Sequence, residues 1–344
     1  MKKLIVFIIS VLLSAGCSTV RTQSRGNDVP FITREFSASS IKEVESSTLG
    51  GSLILTGNAG SKARVEVYVS HDNWSADKIK QVFDANYDLN IKVESGKLYV
   101  EAKPKRNMSD WNQNGLNISL KISVPKQINS NLQTTGGSIR ITDLSGSQNF
   151  KTTGGSLSVE NVSGNITGST SGGSITVSKS KDNIDLSTSG GSVTANDCSG
   201  KIDLKTSGGS LNMNNLEGTV SATTSGGSIT ANDIKGNIKT GTSGGSMNLS
   251  GISGNLEAYT TGGSMNVKIK SVSNYVKLSN SGNINLTLPE GKGFNLNLMA
   301  NRIGTTGYKN FNGHSDDNSM VGTISGGGPE INVKSSQGIR LSFE

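Results

Sequence analysis

Two aspartates beside a lysine are the residues of this chain whose types and spacing could do chemistry. Asp185 and Asp203 are 18 residues apart, and Lys205 follows the second aspartate by two positions. Clustered carboxylates with a nearby cation serve as general acids and bases in polysaccharide lyases and hydrolases. One hypothesis is therefore a carbohydrate-active enzyme. The competing interpretation is a solvated outer face, because exposed charged pairs contribute little.

The other reactive residue types argue against further catalytic centres. The chain has only two histidines, His71 and His314, and they are far apart in sequence, which argues against a histidine-rich metal site. Serines recur regularly from Ser138 onward, but no histidine lies among them to activate a nucleophile. The leading interpretation is a protein that is not an enzyme, with no catalytic residues, no metal and no cofactor.

A fixed repeat must position the two aspartates, Lys205 and the regular serines. Gly-Gly-Ser recurs with a period of 18 residues, and we call each block of 18 that starts at its first glycine a repeat. Apolar residues alternate with polar ones after each Gly-Gly-Ser, which indicates a strand with one buried face. Threonine stands two residues before every Gly-Gly, and the alternation places it on the buried side. The first glycines are residues 136, 154, 172, 190, 208, 226, 244 and 262.

Identical chemistry at each position of the repeat predicts strands stacked in parallel, each unit displaced along one axis. The predicted fold is all-β, a single-stranded parallel β-helix or solenoid with 18-residue rungs, each made of two strands with a turn near Gly146 and its equivalents. An antiparallel sandwich would not explain threonines and serines in register. The composition agrees, because 44 glycines and only 32% apolar residues allow a thin core.

A column of acidic and amide residues marks a turn in each repeat. Asp143, Asp197 and Asp233 occupy the same position as Asn161 and Asn215. Their expected role is side-chain capping of backbone amides in Asx-type turns. In a neighbouring column, Cys198 replaces an apolar residue, and we expect it to be buried and unreactive.

The N-terminus predicts export and lipidation. Residues 1–16 read as a signal peptide, since two lysines precede an apolar run that is too short to span a bilayer. The segment Leu13 to Cys17 resembles a bacterial lipobox, which implies lipidation of Cys17 and a flexible tether over residues 17–30. Ser18 follows the cysteine in place of a retention aspartate, so an exported lipoprotein of the outer membrane is expected.

The rest of the chain divides around the repeats. Residues 31–128 should start the solenoid and cap it, with strands at 65–69, 89–93, 98–102 and 116–124 and one short helix over 75–86. Residues 129–280 hold the regular repeats. Residues 281–344 should form degenerate rungs and a C-terminal cap, with a loop from about 301 to 321.

These repeats, the segment Arg34 to Glu45 and the closing Ser325 to Ile331 resemble the bacterial putative-adhesin family of β-strand-repeat envelope proteins of unknown function. The resemblance covers about residues 31 to 344. It implies a single-stranded β-helix at the cell envelope with an adhesin-like role, and it brings no catalytic residues.

Candidate binding residues lie outside the repeats, because residues 151–258 contain no aromatic side chain. His71, Trp74, Arg106 and Trp111 interrupt the strand pattern, and tryptophan and arginine are enriched at binding hot spots. A glycan or a surface protein is the expected ligand, besides the membrane contact through the lipid. A scattered charge of +7 argues against nucleic acid. An envelope sensor or regulatory module is a third hypothesis.

Overall fold

The computed structural model describes residues 19–20, 29–105 and 115–344. Cys17, Arg106 and Trp111 lie outside the described residues, so the predictions for them are not addressed by the fold. Within those residues the chain is all-β with one α-helix, as the repeat predicts. Its 25 strands belong to one continuous hydrogen-bonded sheet. No described helix has the length and apolar character needed to cross a membrane.

The N-terminal region contains the four strands and the helix that the alternation predicts. The helix α1 starts after Ser75, whose side-chain oxygen accepts a hydrogen bond from the Lys78 amide at 3.3 Å. Phe83 anchors the helix in the core, with its ring 5.0 Å from that of Phe31. The elements are β1 (Thr19–Val20), β2 (Ile32–Ser37), a 3-10 turn (Ala38–Ser40), β3 (Glu43–Thr48), β4 (Leu53–Asn58), β5 (Lys62–Ser70), α1 (Ala76–Asn86), β6 (Tyr87–Glu94), β7 (Lys97–Pro104), β8 (Asn117–Pro125) and β9 (Asn129–Thr134).

The repeats pair in parallel, and most partners are 18 residues apart in sequence, as in Ile139 with Leu157 and Leu211 with Ile229. Successive repeats therefore lie side by side with equivalent residues in register. The strands are β10 (Ile139–Lys151), β11 (Leu157–Thr170), β12 (Ile175–Ser178), β13 (Lys181–Thr188), β14 (Val193–Thr206), β15 (Leu211–Thr224), β16 (Ile229–Thr242), β17 (Met247–Thr260) and β18 (Met265–Asn280).

The expectation of two strands per repeat is wrong for most repeats, which contain one long strand. The backbone turns at two residues with left-handed φ, such as Asp143 at 58° and Gly146 at 118°. The pairing to the next repeat skips Asp143, resumes at Leu144 and continues through Gly146. Only the repeat that starts at Gly172 is split in two, between β12 and β13. There Lys179 and Asp182 occupy the two left-handed positions, and Asp182 replaces the usual glycine.

The acidic and amide column has a different role from the one expected. Asp143, Asn161, Asp197, Asn215 and Asp233 all adopt φ between 52° and 58°, a conformation that Asp and Asn tolerate better than other side chains. Two pairs of these side chains bond between repeats, Asn161 with Asp143 and Asn215 with Asp197, the latter from Asn215 Nδ2 to Asp197 Oδ1 at 2.7 Å. The column therefore suits a left-handed backbone and is not a set of Asx caps.

The core is a set of inward columns that run through the repeats. Each repeat contributes apolar side chains and one buried threonine, and the repeat from Gly208 shows the full set: Leu211, Met213, Leu216, Val220, Ala222 and Thr224. The threonine hydroxyl near the end of a repeat donates to a glycine carbonyl at its start, for example Thr224 Oγ1 to Gly209 O at 2.8 Å. Because Gly209 lies 15 residues earlier, this bond joins the two ends of one repeat.

The C-terminal region contains more strands than the sequence predicts. The loop expected from 301 to 321 is wrong, because residues 302–306 and 311–315 are strands and a third begins at Ser319. Residues 319–324 pair antiparallel with both 294–299 and 311–315, whereas residues 302–306 pair in parallel with 338–343. The strands are β19 (Ile284–Leu288), β20 (Phe294–Met299), β21 (Arg302–Thr306), β22 (Phe311–Ser315), β23 (Ser319–Ile324), β24 (Glu330–Ser335) and β25 (Gly338–Phe343).

Both ends of the array depart from sequence order in the same way. At the N-terminal end, β3 lies between β7 and β9, and β4 lies between β8 and β10. At the C-terminal end, β24 lies between β18 and β20, and β25 lies between β19 and β21. At each end of the repeats, a strand pair that is further from the repeats in sequence, β3 with β4 or β24 with β25, is thus inserted between strands from segments nearer to them.

Candidate functional site

The carboxylates proposed for catalysis lie on the outer face of the repeats. Asp185 and Asp203 are direct partners on β13 and β14, and Lys205 Nζ forms an ion pair with Asp203 Oδ2. The hydrogen bond with Asp203 is the main cause that raises the pKa of Lys205, and the charges of Asp203 and Asp185 add to it. Lys205 therefore stays protonated at neutral pH and can donate a proton but not accept one.

Asp203 has one feature that an ordinary surface aspartate lacks. Its Oδ1 atom is buried and has no hydrogen-bond partner among the described residues, although the side chain as a whole is 28% exposed. A buried carboxylate oxygen without a partner costs free energy. The structure thus brings Asp185, Asp203 and Lys205 together, as the enzyme hypothesis requires.

His71 and Trp74 lie together between β5 and α1. Their rings stack with centroids 3.8 Å apart and an interplanar angle of 12°. Trp74 is half-buried and packs against the core, and Lys78 Nζ lies 5.8 Å from its ring centroid. One face of the indole is therefore covered by a histidine of the same chain, which reduces the area that a ligand could contact.

The single described cysteine and the serine column are part of the fold. Cys198 is 2% exposed, and its Sγ lies 3.2 Å from the Asn196 carbonyl oxygen. Burial raises the pKa of its thiol, which keeps it protonated and unreactive. The serine hydroxyls bond between repeats, as in the 3.3 Å bond from the Ser192 amide to Ser174 Oγ. In the described part of the chain, no three His, Cys, Asp or Glu side chains converge on a metal position.

A concavity at the C-terminal end of the outer face was not found from the sequence. It has a volume of about 400 Å³, and Tyr259 and Met299 are among the residues that line it. These two side chains are 40% and 53% exposed, although both are large and apolar. We call this concavity, lined by Tyr259, Lys277, Ser279, Met299, Asn332 and Lys334, the Tyr259 groove.

Strand register explains how the Tyr259 groove forms. Tyr259 pairs with Ser279, Ser279 with Lys334, and Lys334 with Met299, so these residues form one outward row across β17, β18, β24 and β20. At about 4.8 Å per strand, Tyr259 and Met299 are roughly 14 Å apart. The small Ser279 lies beside Tyr259 in this row, which leaves a depression between two large side chains.

A glycine on the preceding repeat fixes the tyrosine ring. A Cβ atom placed on Gly241 would come within 2.0 Å of Tyr259 Cζ and within 2.5 Å of two more ring atoms. The ring therefore lies directly over the Gly241 backbone. The sequence contains a signal for this site. Tyr259 is the first aromatic residue after residues 151–258, which have none, and Gly241 stands at the equivalent outward position one repeat earlier.

No protein-family model matches this chain, and no curated protein matches it in sequence. Solved structures that are similar to it include a "putative cell adhesion protein" from Clostridium sporogenes, 12% identical with a TM-score of 0.21 over 91% of this chain and 98% of that chain. A "putative lipid binding protein" from Parabacteroides distasonis is 18% identical, with a TM-score of 0.31 over 92% and 98%. A "putative adhesin" from Bacteroides fragilis is 10% identical, with a TM-score of 0.23 over 91% and 96%. Two of these neighbours are named for cell adhesion, and the family that the Gly-Gly-Ser repeats of this chain resemble is also named for adhesins.

Proposed function

We propose that this chain is a lipid-anchored protein of the outer membrane that presents a rigid single-stranded parallel β-helix and has a structural or adhesin-like binding role without catalysis. The 18-residue units would be the rungs of that helix. Cys17 would carry the lipid, and residues 17–30 would be the tether between membrane and fold. Several acyl chains on one cysteine would make the attachment stable, since a single chain binds only marginally.

The observation that supports this proposal is the in-register stack of repeats. Each repeat bonds to the next through its backbone and its serine hydroxyls, as the Ser192 amide does with Ser174 Oγ at 3.3 Å. The threonine hydroxyl joins the two ends of one repeat, as Thr188 Oγ1 does with Gly173 O at 2.8 Å. A chain that stacks repeats against their neighbours forms an extended, stiff unit. Such a unit is suited to hold a binding surface at a fixed position outside a membrane.

Two measurements on cells test the anchored binding role. Cys17→Ala should move the protein from the detergent phase to the aqueous phase in phase partitioning, whereas Cys198→Ala should stay in the detergent phase. Cells that display the wild-type chain should bind immobilised envelope glycans or surface proteins more strongly than cells that lack it. Equal partitioning of the two variants would contradict the anchor, and equal adhesion of the two kinds of cells would contradict the binding role.

The buried Oδ1 of Asp203 favours a second candidate function, a carbohydrate-active enzyme that uses Asp185, Asp203 and Lys205. In that case the purified chain should release new reducing ends or unsaturated products from one member of a polysaccharide panel. Asp203→Asn should abolish that release, while Asp233→Asn, in the column of left-handed residues, should not. If the wild-type chain releases no product from any member, the enzyme hypothesis is rejected.

A further inference from the structure

The Tyr259 groove combines exposed apolar area with polar walls. Tyr259 and Met299 are two of the few large apolar side chains that are more than a third exposed in the described part of the chain. Both lie on the same row of the outer face, and a concavity of about 400 Å³ separates them. Apolar surface that is gathered in a concavity with a polar rim is typical of a contact site.

Positive charge lies within the row, at Lys334, and beside it, at Lys277. Lys277 Nζ is 4.9 Å from the ring centroid of Tyr275, and Lys334 lies between Ser279 and Met299. Within the described residues neither lysine forms an ion pair. The one acidic lining residue, Glu257, is bound by Lys239 at 2.8 Å. Among the described residues the groove therefore has two ammonium groups without a carboxylate partner, and its one carboxylate is already paired, which favours an anionic ligand.

The backbone below the groove cannot bind a ligand. The strands β17, β18, β24 and β20 pair with each other in parallel across this region, so their amide and carbonyl groups are used between strands. An extended peptide that docks on a sheet needs a free strand edge for its main-chain hydrogen bonds. Recognition must therefore come from side chains alone, which suits a sugar better than a peptide.

We propose that the Tyr259 groove binds a short anionic glycan, such as a chain of uronic acids. One sugar ring would pack on Tyr259, the face of a ring further along the glycan would contact Met299, and carboxylates would bind Lys277 and Lys334. The side-chain amides of Asn297 and Asn332, which also line the groove, would take hydroxyl groups. This inference rests on the proposed binding function and names its site and its class of ligand.

The probe is a trimer of galacturonic acid, with its uncharged methyl ester and an acidic hexapeptide of Glu residues as comparisons. We expect the full chain in detergent to bind the trimer in calorimetry, with an affinity that falls as salt rises, because exposed charges are screened. The ester and the peptide should bind about tenfold more weakly. Equal binding of the trimer and the hexapeptide would reject a glycan site in favour of a general acidic contact.

Variants locate the site. Tyr259→Ala and the pair Lys277→Gln with Lys334→Gln should each weaken trimer binding by about tenfold or more. Ser279→Phe should do the same by filling the groove while leaving every proposed contact residue in place. The matched controls are Tyr308→Ala, an exposed tyrosine outside the groove, and Lys201→Gln, an exposed lysine on the same face. Circular dichroism of each variant should show an unchanged β spectrum.

The outcomes separate this inference from the proposed function. If the wild-type chain binds the trimer and the groove variants bind it equally well, the site assignment is wrong although a glycan-binding role stands. If the wild-type chain does not bind the trimer while cells that display it still adhere, the ligand class is wrong and the adhesive role stands. Loss of binding in Ser279→Phe, with binding retained in Tyr308→Ala, would support the groove.

Discussion

Thr206 Oγ1 donates a hydrogen bond of 2.7 Å to the carbonyl oxygen of Gly191 at the start of the same repeat. The same hydroxyl accepts a bond of 3.2 Å from the amide of Gly209, which is the second glycine of the next repeat. One buried side chain thus satisfies two backbone groups that the strand pairing leaves open at the Gly-Gly turn. The arrangement recurs in neighbouring repeats, for example at Thr188 and Thr224.

Removal of this hydroxyl should destabilise the array. Thr206→Val keeps the shape of the side chain but leaves the Gly191 carbonyl and the Gly209 amide, in a part-buried turn, without this partner. We expect the free energy of unfolding to fall by about 2 kcal/mol, since each buried unpaired group costs about 1 to 3 kcal/mol. The same change at the exposed Thr176 should alter stability by less than about 0.5 kcal/mol. Urea denaturation followed by circular dichroism measures both, and equal losses would contradict the structural role of Thr206.

The two glycines of each turn should differ sharply in their tolerance of a side chain. A Cβ atom at Gly209 would lie 2.1 Å from the carbonyl oxygen of Gly191, whereas one at Gly208 would have its nearest neighbour at 3.4 Å. Gly209→Ala should therefore cost about 3 kcal/mol by overpacking against the backbone. Gly208→Ala should be close to neutral. Thermal unfolding of the two variants measures this difference. A Gly208→Ala variant as unstable as Gly209→Ala would contradict the distances between these glycines and the backbone of the preceding repeat.

A charge in the core should unfold neighbouring repeats. Ile202 is fully buried, and Ile202→Asp would place a carboxylate among apolar columns without a partner. The expected loss is several kcal/mol, about 4 or more. Thr194→Asn on the outward side should be nearly silent. Proteolysis patterns of the folded variants test this, because only the first should open new cleavage sites in the adjacent repeats. Similar patterns would mean that the inward and outward positions are misassigned.

Cys198 should report on opening of the array. Its thiol is buried and its pKa is raised by burial, so the reactive thiolate is scarce in the folded state. In a Cys17→Ser background, iodoacetamide should modify Cys198 only at the rate at which the surrounding repeats open. Added urea should accelerate the reaction, and Thr206→Val should do so as well. Rapid modification in buffer alone would show that the cysteine is accessible and would contradict its placement.

The repeats could be predicted from the sequence because every position recurs. The threonine at Thr152 and its equivalents appears in the same place each time, and a pattern of buried and exposed residues follows directly from alternation. The helix could also be predicted, since Ser75 precedes apolar residues at helical spacing. The single long strand of each repeat could not be predicted, because the left-handed φ of Asp143 lets the backbone turn without ending the strand.

The ends and the Tyr259 groove could not be predicted, because their contacts join residues without a shared period. Met299 reaches the row of Tyr259 only through Lys334, which lies 35 residues further along the chain but is its direct strand partner. Such a contact depends on the strand order at the end of the array. Nothing in the local pattern of β20 or β24 specifies that order, since both read as ordinary amphipathic strands.

The insertion of β24 and β25 between earlier strands makes closure of the array depend on both of them. β20 and β21 precede them in the chain, yet neither has a parallel neighbour without them. A chain that lacks residues 330–343 would leave the edges of β18 and β19 open and would leave β20 and β21 detached from them. Open strand edges recruit other chains. Such a truncated product would therefore be prone to aggregation or proteolysis.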